Sequence, residues 1–215
     1  MSLVGTVNFD YWYDDVMPSV KGAESDIILH HIRGAAIDFC EQSLAWRFDA
    51  LPINVIANQR QYMLDIPFEG AEIVQVLHAY IGNKEIAVTS TSALAQRNIN
   101  FLSMKGLPNS YIQEYTERMS LYPLPNSNIA GGLTYKVALR PSRIADGMYD
   151  SIGKKYFEAI AHGTKARLFE IPSKPWSDLS LSAYHRSKFE MVVRHARDEA
   201  VSGYGRGAKR VVSHY

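Results

Sequence analysis

Cysteine is almost missing from this 215-residue chain: Cys40 stands alone. No intrachain disulfide can form and no multi-cysteine zinc site can be built, which suits a reducing compartment. Also missing is any uninterrupted apolar run of about 18 residues, the length a membrane-crossing helix needs. The first residues, MSLVGTVNFDYWYDD, are acidic and lack the basic-then-apolar order of a secretory signal, so neither export by that route nor a membrane span is expected. An excess of one charge is absent as well, with 23 Lys/Arg against 22 Asp/Glu. That balance argues against bulk nucleic-acid binding, whose usual footprint is a strongly basic domain. Finally, the chain has no Gly-rich phosphate loop, no GxSxG elbow, no HExxH and no His/Cys cluster at zinc spacing. No catalytic role, cofactor or metal is expected from it.

Hydrophobic residues make up 47% of the chain, enough for a real core. The charges are unevenly laid out. Residues 1–50 hold 3 Lys/Arg and 8 Asp/Glu, residues 51–140 hold 7 and 6, and residues 141–215 hold 13 and 8. Such polarity fits subunits that meet acidic end to basic end, and equally fits solvated helix faces that differ in sign.

Residues 24–46 place Ile28, Ile32, Ala35, Phe39 and Trp46 along one helical stripe, with Ser25 and Asp26 as a start signal. From Phe48 to Arg140 the pattern turns to alternation and turns. Tyr62, Leu64 and Ile66 alternate, and residues 72–81 run into Gly82-Asn83, a two-residue hairpin connection. Tyr111–Tyr122 and Leu133–Leu139 read as further strands around a loop at 126–132, and residues 90–98 as a short helix. After Pro141 one helix is expected through Ile152, Tyr156, Ile160, Gly163 and Ala166. A second, capped by Ser177, carries Leu181, Phe189, Val192 and Ala196 and ends near Gly203.

The predicted fold is therefore α+β. A helical bundle is built from the N- and C-terminal helices (1–47 and 142–203), an antiparallel β-sheet or sandwich is inserted at 48–141, and a tail extends over 204–215. The tail, GYGRGAKRVVSHY counted from Gly203, combines three glycines, three basic side chains and no acid with tyrosines and valines that have no partner within the segment. Its composition predicts mobility in the isolated monomer and burial against another chain. A frayed terminus or cloning remnant is the plain alternative.

Possible chemical groups have bland readings. His30-His31 are adjacent on a helix and diverge by about 100°, so they cannot chelate one ion side by side. His162, His185 and His195 suit partial exposure or an interhelical hydrogen bond. Asp14-Asp15 sit in an irregular arm, Asp198-Glu199 on a helix surface, and Cys40 on a buried helix face. The arm's Phe9, Tyr11, Trp12 and Tyr13 serve either as local core or as anchors on a neighbouring subunit.

The stretch IRGAAIDFCEQSLAWR, the segments LYPLPN and VALRPS, and the run LFEIPSKPWSDLSLSAYHRSKFE together resemble the head-to-tail adaptor (connector) proteins of tailed bacteriophages, especially short-tailed ones. The likeness runs from about residue 18 to the tail and lies in the order and spacing of loose patterns. It implies a virion protein, made in the bacterial host cytoplasm, that forms a homo-oligomeric ring of twelve copies under the portal. The ring would extend the channel through which viral DNA passes without sequence-specific binding, and would offer a platform to the nozzle or tube protein of the tail and to tail fibres. The likeness also implies that the C-terminal segment orders on the portal, with Tyr204, Arg206, Lys209, Arg210, Val211, Val212 and Tyr215 making contact. Alternatives are a tail-tube or head-completion protein of the same assembly, a non-specific DNA-binding module using the basic C-terminal region, and an enzyme with dispersed groups.

Overall fold

The computed structural model describes residues 5–202. The chain is mixed α+β and divides into two compact units, one drawn from both ends (up to Ala45 and from Tyr149 onward), the other spanning Trp46–Met148.

The first unit opens with strand β1 (Thr6–Asn8), a 3-10 turn (Phe9–Trp12), the single turn α1 (Tyr13–Val16) and a second 3-10 turn at Met17–Ser19. The Asn8 side chain accepts the Asp10 N–H at 3.0 Å and starts the turn. Phe9 and Trp12 are buried as local core. Trp12 stacks on Phe157 at 5.8 Å and donates its indole N–H to the Phe157 carbonyl at 3.0 Å, so its polar atom is satisfied under the arm.

Helix α2 (Ser25–Ser43) buries Ile28, Ile32, Ala35, Ala36, Phe39 and Cys40, the stripe its periodicity predicts. Its two ends differ from the sequence reading. Ser25 is the first helical residue, preceded by Glu24 with no side-chain cap, and Trp46 lies beyond the helix. Leu44 takes up the left-handed conformation at φ 52° while its N–H bonds the Cys40 carbonyl at 3.0 Å, which ends the helix and turns the chain away.

The second unit runs through β2 (Arg47–Asp49), β3 (Ile53–Val55), β4 (Gln61–Met63), β5 (Ala71–Ile81), β6 (Lys84–Glu85), β7 (Ala87–Val88), α3 (Thr91–Arg97), β8 (Lys105–Gly106), β9 (Ser110–Tyr115), β10 (Arg118–Tyr122), β11 (Leu124–Pro125) and β12 (Ile129–Pro141), up to β13 (Gly147–Tyr149) at its boundary. One sheet has the order β2-β12-β5-β6 with β3 also on β12, another β4-β10-β9-β7, and β8 pairs β11. The β5–β6 hairpin turns through Gly82-Asn83, with Tyr80 opposite Glu85 and Gly82 at φ 60°. Leu133, Tyr135, Val137 and Leu139 point inward from β12 in alternation, as the strand pattern predicts. The loop expected at 126–132 is shorter than its composition suggests. Strand β12 already pairs at Ile129, and a register shift before Leu133 absorbs Gly131 (φ 58°) as an irregularity. Helix α3 falls in the predicted place, with the Ser90 hydroxyl accepting the Ala93 N–H at 3.2 Å.

The chain then completes the first unit with α4 (Asp150–Lys155), α5 (Phe157–Phe169) and α6 (Leu179–Ser202). The single helix expected after Pro141 is interrupted at Tyr156, whose φ −111° and ψ 30° leave the helical region. At that break the Tyr156 ring lies 4.8 Å from Phe39 and its hydroxyl reaches Glu199. The α6 cap is Asp178, not Ser177: Asp178 Oδ1 accepts the N–H groups of Ser180 and Leu181 at 2.8 and 2.9 Å.

Helices α2, α5 and α6 pack on one another. They pack tightly at Gly163, where a Cβ would stand 2.8 Å from the Phe189 ring and 3.1 Å from the Ala35 methyl. Alanine there gains about 1 kcal/mol of helix propensity but overpacks the contact by about 1–3 kcal/mol. Gly163→Ala is therefore expected to lower the urea midpoint with an unchanged slope, which equilibrium denaturation of the two proteins measures directly.

Candidate functional site

The residues predicted to contact a partner, Tyr204, Arg206, Lys209, Arg210, Val211, Val212 and Tyr215, lie outside the described residues. The helix that leads to them is described in full. Helix α6 is fastened along its length by contacts with three other helices, and each tie has its own chemistry.

Near its start, the buried Ser182 hydroxyl donates to the Ala166 carbonyl at 2.9 Å. One turn on, His185 Nδ1 meets His162 Nδ1 of α5 at 2.6 Å, with the His185 ring also stacked on Phe169. Arg186 pairs with Glu170 at the end of α5. Phe189 then seats on Gly163, and Arg197 donates to the Gln42 carbonyl of α2 at 3.1 Å. In the last turns Glu199 accepts both the Tyr156 hydroxyl and the Lys155 ammonium at 2.7 Å. Lys155 and Tyr156, by hydrogen bonding, hold the Glu199 carboxyl below its usual range. Burial, and then the bond to Glu199, push the Tyr156 hydroxyl up to about 12.

A small cleft beside this seam is lined by Asp38, Gln42, Arg167, Arg186, Phe189 and Glu190. Its two guanidiniums are already neutralised, Arg167 by Asp38 and Arg186 by Glu170, so it offers no free positive charge to an anion. The interhelical histidine contact expected among His162, His185 and His195 is thus made by the first two. His195 is exposed on α6. His30 and His31 pack edge to face at 5.4 Å, and burial, then His30 and Arg167, lower the His31 pKa. The Cys40 thiol is fully buried and pushed up by desolvation, which removes thiolate reactivity. Asp15 of the arm is held by Lys165 at 2.8 Å. Among the described residues no group of three or more His, Cys, Asp or Glu is placed to hold a metal, and no helix is long and apolar enough to cross a membrane.

Exposed apolar side chains cluster on three stretches, besides others scattered among the described residues. On α6, Leu181, Tyr184 and Met191 face solvent, with Lys188 over the Tyr184 ring at 5.7 Å. On the arm, Tyr11 and Met17 stand among the exposed acids Asp10, Asp14, Glu24 and Asp26. In the second unit, the connection from α3 to β9 exposes Ile99, Leu102, Met104 and Leu107. The arm was legible as an aromatic-acidic cluster; on α6 the sequence reading differs, since Leu181, expected on the apolar side with Phe189 and Val192, is exposed, and Val193 is buried in place of Val192. The third has neither period nor motif and is found only in three dimensions.

The His162–His185 contact sets a pH dependence. Burial is the main cause that lowers both imidazoles from the ordinary 6.5, followed by Lys165 for His162 and by His162 for His185. The other facing charges are Glu158, Asp15 and Lys188 for His162, and Lys165 and Asp15 for His185. The unfolded chain therefore takes up protons that the folded chain resists. Stability from the pair is complete above that ordinary value and is lost as pH falls below it. Thermal melts should show a lower Tm near pH 5 than at neutral pH. In His162→Gln that pH slope should be shallower, and an unchanged slope would rule the pair out as its source.

Compared with known proteins, the chain matches no family model and no curated sequence.

Proposed function

We propose that this protein is a head-to-tail adaptor of a tailed-phage virion. Copies of the chain, twelve by the family likeness, form a ring under the portal, extend the DNA channel and present a platform to the next tail component. In this reading a helical bundle assembled from both chain ends carries the β-rich insertion, and residues 203–215 bind the portal through Tyr204, Arg206, Lys209, Arg210, Val211, Val212 and Tyr215.

The observation that carries the reading is the fastening of α6. A 24-residue helix is tied to its own unit by the Ser182, His185, Arg186, Phe189, Arg197 and Glu199 contacts. It delivers the chain at Ser202 to a segment whose composition suits an intermolecular groove. A docking segment on a fixed helix starts from a defined position, which lowers the ordering cost of binding. A modest contact repeated around a closed ring then becomes a strong one through multivalency. The work done is assembly, with no bond made or broken.

The test mixes the full chain, or a chain ending at Gly203, with the cognate portal ring and follows them by sedimentation and electron cryomicroscopy. The full chain should form a symmetric ring on the portal, and the shortened chain should bind on the order of 100-fold more weakly. Equal binding by the two would remove the C-terminal residues from the interface. A full-length folded chain that ignores the portal would sink the adaptor reading.

A further inference from the structure

The segment joining α3 to β9 is built firmly and yet turns its apolar side chains outward. Phe101 packs into a small core with Leu94 and Tyr122, backed by Ile112. Arg60 donates to the Leu102 carbonyl and lays its guanidinium over the Tyr122 ring at 5.6 Å. The Asn98 amide reaches Met104 Sδ at 3.3 Å, and Lys105 Nζ donates to Asn58 Oδ1 at 2.7 Å. On this fixed backbone Ile99 is 85% exposed, Leu102 62%, Leu107 57% and Met104 42%. Four large apolar side chains in nine residues present a few hundred Å² to water, the size at which an exposed patch marks a docking surface.

The charge of this surface has one sign. Residues 86–113 contain no Asp or Glu, while Arg97 and Lys105 are exposed beside the apolar side chains. The N-terminal arm has the opposite make-up. Asp10, Asp14, Glu24 and Asp26 are exposed there around Tyr11 and Met17, which are 50% and 41% exposed, and they outnumber the exposed Lys21 of the same stretch. The α6 stripe is a poorer match for the arm. Lys188 and Arg194 flank it together with Glu190 and Asp198, so it presents no field of one sign.

We infer that the occupant of the 97–107 surface is a second copy of this chain: the acidic, aromatic arm of one copy docks on the basic, apolar surface of the next. Apolar area meets apolar area, and the complementary charges steer and orient the encounter. The two surfaces are different patches, so the interface is heterologous, and a docked pair still has one arm and one surface free to bind further copies. Repeated, it closes into a ring or continues as a filament. This interface deepens the proposed ring by naming the surfaces that join neighbouring copies, and it needs no portal to form.

The experiment uses the chain alone. One variant carries Asp10→Lys and Asp14→Lys, the other Arg97→Glu and Lys105→Glu. Circular dichroism and thermal melting confirm that each is folded. Sedimentation of the parent should show salt-sensitive self-association, and each variant alone should associate at least about ten-fold more weakly, because its two surfaces now carry like charges. Mixed together, the variants should recover association, since each arm again faces an opposite surface. In parallel, carbodiimide cross-linking of mixed light- and heavy-isotope parent chains should join Lys105 of one copy to an arm carboxylate of another, a readout that needs no variant to fold. A parent that stays monomeric up to millimolar concentration overturns the inference, as does a mixture that fails to recover. Portal binding does not enter these measurements, so their failure leaves the adaptor reading standing, and failure of that reading leaves them intact.

Discussion

The spacing of the helical unit depends on one missing methyl group. At Gly163 the α5 backbone lies bare against the Phe189 ring and the Ala35 methyl, so a side chain there would have to push the helices or the Phe189 ring aside. That approach brings the Ser182 hydroxyl to the Ala166 carbonyl and sets the His162 and His185 rings within hydrogen-bond distance. Polar contacts of this kind act only over short distances, so they follow from the packing and do not create it. The dispersion and hydrophobic terms come from Ile28, Ile32, Phe39, Ile160, Leu168 and Phe189, all buried.

The polar ties do a different task. Arg186–Glu170, Arg167–Asp38 and Lys155–Glu199 are each partly solvated, and pairs of that sort contribute little to stability. Their value is register. A long helix resting on an apolar groove can slide by a turn at small cost, and ties spaced from Ser182 to Glu199 penalise every slipped position together. The same division holds in the β-rich unit. Leu133, Val137 and Leu139 supply burial there, while Arg140–Glu72 and Lys136–Asp49 decorate the edges of the central strand pairings.

Much of this was legible in the residues. The α2 stripe and the β5–β6 hairpin were, because period and turn chemistry are local properties. What escaped prediction was settled by contacts distant in sequence or by backbone geometry that composition hides. Leu44 ends α2 in a left-handed conformation more usual for glycine, so Trp46 was read into a helix it does not join. Tyr156 is an acceptable helical residue, and its break accompanies contacts with Phe39 and Glu199, one over a hundred residues upstream. Asn126–Gly132 has the composition of a loop, yet β12 begins inside it because an irregular register accommodates the glycines. For the candidate site, the tail and the aromatic-acidic arm stood out by composition. The 97–107 surface did not, since only the fold separates Phe101, turned inward, from Leu102, turned out.

The β-rich unit begins at Trp46 and ends at Met148, between the two stretches of sequence that make up the helical unit. During synthesis α2 therefore emerges roughly 110 residues before the α5 face that covers it, and its apolar stripe must wait. All strands of the second unit are made before α5 is. The helical unit then forms last, when α5 and α6 arrive. A ribosome that stalls before α6 leaves α2 and α5 without the helix that covers them both.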